Sequence, residues 1–321
     1  MMRRATLILS AVVALAFALS LIIGKVWIGP AFWFGDTPYG WIMAELRLPR
    51  AILGAAIGAV LGLSGAVLQG YLRNPLADPA VVGISASAAF GAVLAIFFGF
   101  AVSPLIIFGA AMLGAAIGMI ILIILAGQSG SPLGFILGGV ILATLAGALT
   151  SFIISIAPNP FATSEMIEWL MGALTDRSMN DVWTALPPMI LGTVLLARSG
   201  RALDALTLGD DIAFTLGIDP RATRLLIIAG TGLCVGASVA VSGVIGFVGL
   251  TVPHLLRGSI GERPSQLLLP SALGGAVLTL TADTLVRLTP GVGEVRLGIA
   301  MALIGAPFFL WLMLRMKARV R

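Results

Sequence analysis

Arg47 and Arg50 stand three residues apart, so a helix would carry both on one face. Asp283 precedes Arg287 by four residues, which lets the two pair on one face and lowers the cost of an acid near a membrane. Arg287 can still reach outward from that pair. A third group of charges follows Leu208 and Gly209. Asp210 and Asp211 suit the positive end of a short helix, Leu216-Gly217 can close it, and Asp219-Pro220 restarts a helix as cap and first position. Spacing alone leaves this stretch open between a partner-docking surface and a solvated loop. His254 is the single histidine and cannot build a multi-residue imidazole site; packing or helix-end contacts lead over a metal or haem ligand, and no metal site is expected. These residue types supply charge recognition, not bond making. HExxH and GxSxG are absent, so a hydrolase lacks its parts. So is GxxxxGK[ST], and with Lys25 and Lys317 as the two lysines the chain has no P-loop with which to hydrolyse ATP.

What must position these residues is a set of apolar helices. The 321 residues are 59% hydrophobic and 10% charged, too little polar surface for a soluble globule. Net charge is +5, but the basic residues are scattered at the ends of apolar runs, as topology charges are, which argues against nucleic acid. Cys234 lies alone in an apolar run and has no disulfide partner. The apolar stretch from Ala5 to Gly24 exceeds the ~7–15 residues of a signal-peptide core, so it reads as a first, uncleaved helix.

Charge-free intervals set the span count. Ala51 to Leu72 carries no charge over 22 residues, enough to cross a ~30 Å hydrocarbon core, with Pro49 just inside the expected helix start. Pro79 to Ser164 is uncharged over 86 residues and must hold three crossings. The sequence therefore predicts an all-α polytopic membrane protein of about ten helices in a single domain, 1–321. The spans are expected at 5–26, 50–71, 80–100, 104–126, 132–156, 182–197, 222–242, 247–258, 266–287 and 297–315. An amphipathic interfacial helix is expected at 163–172, and a segment of short cytoplasmic helices at 198–224. With both termini inside, 13 of the 19 Lys and Arg fall on the cytoplasmic side, and Trp27, Trp33, Trp41, Trp169 and Trp183 fall on the outer one. Small residues at helical spacing (Gly54, Gly58 and Gly62; Gly114 and Gly118; Gly232 and Gly236) are expected to let helices approach closely.

Several ordered motifs then carry a resemblance: RLPR at 47–50, GAVLQGYLRNPLADPAVVGIS at 65–85, LGDDIAFTLGID at 208–219, SGVIGFVGLTVPHLLR at 242–257, LTADTLVRL at 280–288 and GIAMALIGAPFFLWLMLR at 298–315. Together the chain resembles the permease subunit of FecCD-type ATP-driven importers, which take up ferric siderophores, haem and vitamin B12. The resemblance implies a type II ABC importer permease fold in the cytoplasmic (inner) membrane, paired with a second copy or a paralogous permease. It implies two copies of a cytoplasmic ABC ATPase, which would bind ATP and magnesium; this chain would bind no cofactor. A periplasmic or lipid-anchored binding protein would dock its acidic side chains on Arg47, Arg50 and Arg287. Leu208, Gly209, Asp210, Asp211, Leu216, Gly217, Asp219 and Pro220 would couple to the ATPase. Ser129, Gly130, Ser131 and Pro132 would form the cytoplasmic gate. The expected cargo is an iron chelate, a ferric siderophore first, then haem, then cobalamin. An ion-coupled secondary transporter ranks far lower, because Asp283 is the one acid expected within a span. One departure stands out: Val295-Arg296 replaces the Leu-Pro that precedes the last helix in many relatives.

Overall fold

The computed structural model describes residues 2–33, 37–100, 102–125, 132–290 and 293–319, and within them the chain is helical with no strand. Fourteen α-helices follow one another. They are α1 (Met2–Ile22), α2 (Pro38–Ile42), α3 (Leu48–Tyr71), α4 (Ile84–Phe97), α5 (Pro104–Leu125), α6 (Pro132–Ser155), α7 (Pro160–Leu170) and α8 (Met179–Arg198), then α9 (Gly200–Leu206), α10 (Asp210–Thr215), α11 (Pro220–Ser242), α12 (Val248–Ile260), α13 (Pro264–Val286) and α14 (Leu297–Arg319). Among the described residues, eight helical stretches are long and apolar enough to cross a membrane. The spans expected at 80–100 and 247–258 correspond to α4, of 14 residues, and α12, of 13, both below that length.

α3 and α11 form the centre. In each, 78% of the most apolar window is buried, against 11% for α1 and 22% for α14. α3 is packed by α8, α11, α12 and α13. Glycine makes the closest of these contacts. A Cβ on Gly58 would lie 2.2 Å from the Gly275 carbonyl oxygen of α13, and one on Gly275 would lie 2.0 Å from that of Gly58. Gly114 meets α4 at Ser87, and Gly232 and Gly236 meet α5 at Met119 and Ala115. The expected small-residue positions are thus sites of helix contact.

Two local expectations are corrected. The helix expected to start near Arg50 starts at Pro38 and reaches α3 through a π turn, Met43–Arg47, in which the Leu48 amide donates to Met43 five residues back. Pro49 explains the turn. In a regular helix its ring would clash with the Glu45 carbonyl and its missing N–H would leave that carbonyl unpaired; a wider turn relieves both. Second, the restart at Asp219-Pro220 is not a separate short helix but the first turn of the membrane helix α11. The other short helix is α9, which continues from α8.

Candidate functional site

The charged residues singled out in the sequence gather at two opposite ends of the bundle. At one end, here the arginine end, meet the C-termini of α1 and α13, the N-terminal part of α3 and the link between α13 and α14. Arg47 closes the π turn and is buried, at 8% exposure. Its Nη1 donates to the carbonyls of Leu21 (2.7 Å) and Ile22 (2.8 Å), and its Nη2 to that of Val26. A helix C-terminus leaves carbonyls unpaired and is negative in field; Arg47 answers both for α1.

Arg287, 4% exposed, does the same from the other side, through the Ser20 carbonyl (2.9 Å), the Ser20 hydroxyl (2.6 Å) and the Ile23 carbonyl (3.2 Å). Its Nη2 also pairs with Asp283 at 2.7 Å, the i,i+4 pair expected from the sequence. Asp283 is 1% exposed and is shared, because Arg50 donates to both its oxygens at 2.9–3.1 Å. Arg50 then bridges outward to Glu294 at 2.9 Å. The result is a chain of alternating charge, Arg287–Asp283–Arg50–Glu294. A buried charge is tolerated only when paired and hydrogen-bonded, and every member here meets that condition.

Arg47 and Arg287 are buried and spend their donors on α1, while Arg50 lies beside the exposed edge through Glu294, whose side chain is 21% exposed. The sequence reading missed Glu294. An acid in the link before α14 carried no spacing signal toward Arg50, and folding alone brings them together. Arg296 pairs with Glu168 of α7 at 2.8 Å and so ties the start of α14 to α7.

At the opposite end, α10 stands on a Gly209 with φ +112° and closes at Gly217 with φ +80°, a conformation that favours glycine at both places. The Asp219 carboxylate accepts from the Arg221 amide at 2.8 Å, as the expected cap of α11. Leu208, Ile212, Phe214 and Leu216 are exposed, an apolar face on a helix that is too short to enter a membrane. Asp210 pairs with Arg73, just beyond α3. A cleft of about 660 Å³ runs between α9 and the start of α13. One of its walls is Asp204, which accepts from the Ser265 amide (2.9 Å), the Ser265 hydroxyl (2.6 Å) and Arg263 (2.8 Å). Asp204 went unnoticed in the sequence. It caps a helix that begins sixty residues later, and capping is legible only when cap and helix are adjacent. Ser129, Gly130 and Ser131 of the expected gate lie outside the described residues, and Pro132 is the first residue of α6.

The FecCD transport family model matches residues 12–315. The chain belongs to the FecCD transport family. The cobalamin import system permease protein BtuC of Halobacterium salinarum is 41% identical over 85% of this chain and 73% of its own length. The hemin transport system permease protein HmuU of Yersinia pestis is 39% identical, over 86% and 84%. The vitamin B12 import system permease protein BtuC of Vibrio cholerae is 40% identical, over 92% and 89%. Among solved structures, a metal-chelate-type ABC transporter in an inward-facing conformation superposes on the FecCD chain with a TM-score of 0.87. It is 32% identical, and the match covers 98% of this chain and 99% of the other. The protein is accordingly a multi-pass membrane permease of an ABC importer, a transport component and not an enzyme, which works with an ATPase and a substrate-binding protein.

Proposed function

We propose that this FecCD permease carries cobalamin or a related metal-bearing tetrapyrrole such as haem into the cytoplasm. The names of the relatives carry this reading: two are cobalamin or vitamin B12 permeases and one is a hemin permease. They shift the expected order of cargoes, which began with a ferric siderophore. The arginine end faces outward in this reading, and α9 and α10 face the cytoplasm, in keeping with the distribution of Lys and Arg. Two permeases and two ATPase subunits form the transporter. Acidic side chains of the binding protein engage Arg50 in competition with Glu294, while Arg47 and Arg287 hold the platform on which Arg50 stands. The exposed apolar face of α10 receives the ATPase. Loaded binding protein and ATP must favour different states of the permease, because a ligand with equal affinity for both would drive nothing.

The test is ATPase stimulation in nanodiscs holding this chain with its ATPase, on addition of binding protein loaded with cobalamin, haem or a ferric siderophore in turn. Stimulation by cobalamin or haem, lost in Arg50→Glu, is the expected result. Stimulation by the siderophore alone would overturn the cargo, and uptake into proteoliposomes that persists with an inactive ATPase would overturn the mechanism.

A further inference from the structure

At the arginine end the described arginines are answered, with one exception. Arg47, Arg50 and Arg287 are bonded as described above, and Arg296 has Glu168. Arg177, in the link between α7 and α8, has no hydrogen bond or ion pair among the described residues, and its Nε is shut off from solvent. Asp181 is near enough to attract it but is engaged elsewhere, because its carboxylate accepts from the Ser178 amide (2.8 Å) and hydroxyl (2.9 Å) to cap α8. Asp176 attracts it as well, without bonding. Burial still lowers the pKa of Arg177 from its ordinary value, against the pull of Asp181 and Asp176.

Arg177 lies on the wall of a cavity of about 590 Å³ over the end of α11, between the start of α5 and the start of α8. That volume is within the ~300–1,000 Å³ of small-molecule sites. The cavity is amphipathic. Leu105, Phe108 and Val241 make an apolar wall, whereas Arg177, Glu165, Asn180 and the α8-capping Asp181 make a polar one. Leu105 and Trp183, on its rim, are 68% and 67% exposed, so the cavity opens sideways off two helices long enough to span a bilayer. Trp169 and Trp183 mark the depth, since tryptophan collects at the headgroup level. Glu165 is exposed, has no hydrogen-bond partner among the described residues, and borders this cavity and a smaller one of about 320 Å³. In the smaller cavity Glu168 and Arg296 neutralise each other, which leaves Arg177 as the unbonded cation there, with Glu165 and Asp176 as acids that make no ion pair among the described residues.

We propose that this cavity is a site for one phospholipid with a primary-amine headgroup. Arg177 takes the phosphate, which suits a guanidinium by its planar, forked donors. Glu165 takes the ammonium, and an acyl chain lies along Leu105, Phe108 and Val241. The site stands on the embedding of the chain in a membrane and is independent of the cargo.

Native mass spectrometry of the permease–ATPase complex, with dioleoyl phosphatidylethanolamine, phosphatidylglycerol, phosphatidylcholine or diacylglycerol added, reads the site. One phosphatidylethanolamine is expected to persist on each permease chain at activation energies that strip diacylglycerol. Arg177→Met should weaken retention about tenfold, the effect of losing a charge-assisted hydrogen bond. Glu165→Gln should erase the preference for phosphatidylethanolamine over phosphatidylglycerol while leaving phosphate-bearing lipids bound. Leu105→Trp, at an exposed position, should block the apolar wall without altering charge or folding. Retention unchanged in both Arg177→Met and Leu105→Trp would overturn the site, as would equal retention of diacylglycerol, the behaviour of annular lipid. Adducts confined to the isolated subunit would show that a second copy of the chain covers the face, and would equally overturn it.

Discussion

Asp283 decides whether the arginine end holds together, because Arg50 and Arg287 both depend on it. Removing one partner of a buried ion pair costs about 3–5 kcal/mol, since the remaining charge is left uncompensated. Asp283→Asn strands Arg287 and leaves Arg50 with Glu294 alone. It should lower the thermal unfolding midpoint of the purified permease more than Arg50→Gln, which leaves the Arg287–Asp283 pair intact. A smaller effect for Asp283→Asn would mean that water already neutralises the cluster. Half of this arrangement was legible. The i,i+4 spacing announced Asp283 with Arg287, and the three-residue spacing put Arg47 and Arg50 together. What spacing could not show is that Arg47 turns away from Arg50 to finish α1, or that Glu294 completes the chain, because both contacts join segments far apart in sequence.

Helix ends and helix crossings carry the next level. Asp204 on α9 supplies acceptors to the first turn of α13, where the leading amides have no partner within the helix. Asp204→Ala should cost about 1–2 kcal/mol, in the manner of a lost N-cap. Hydrogen exchange at the Ser265 amide should speed up while α11 stays protected. Protection unchanged at Ser265 would assign the capping to water or to Arg263. The crossing of α3 and α13 is less forgiving. Gly58→Ala sets a methyl against the Gly275 backbone, which cannot rotate away, and should destabilise by about 1–3 kcal/mol. Gly246→Ala, with nothing within 4 Å of the added carbon, is the matched control. The repeat of glycines at 54, 58 and 62 foretold close packing. It could not name α13 as the neighbour, because small residues recur on several helices of this chain. The π turn was hidden for another reason. Pro49 is equally at home at a helix start, and only the helical run from Pro38 makes it an interior proline that needs relief.

In the whole molecule the two charged ends are joined by α3 and α13, each of which runs from one to the other. Composition made the membrane, the helices and most of their bounds readable, because a bilayer demands long uncharged segments with satisfied backbones. It gave poor bounds for α4, expected at 80–100 and found at Ile84–Phe97, because a helix covered by its neighbours need not match the bilayer thickness; the short α12, expected at 247–258, runs Val248–Ile260. The separation of the ends yields a test in which one fails without the other. Phe214 and Leu216 are exposed on and just beyond α10, at 71% and 61%, with no role in the packing of the chain. Phe214→Ser with Leu216→Ser should leave the melting temperature of the isolated permease within a degree or two, yet abolish co-elution with the ATPase on size exclusion. Arg50→Glu should do the reverse, preserving co-elution and basal ATPase turnover while losing stimulation by loaded binding protein. Because the proposed docking is between charges near solvent, stimulation of the unaltered complex should also decline as salt rises from 50 to 500 mM, where screening shortens to a few ångströms. Stimulation indifferent to salt and to Arg50→Glu would move the binding-protein contact off the arginine end. Co-elution that survives the α10 changes would move the ATPase contact to the cleft walled by Asp204 and Arg263.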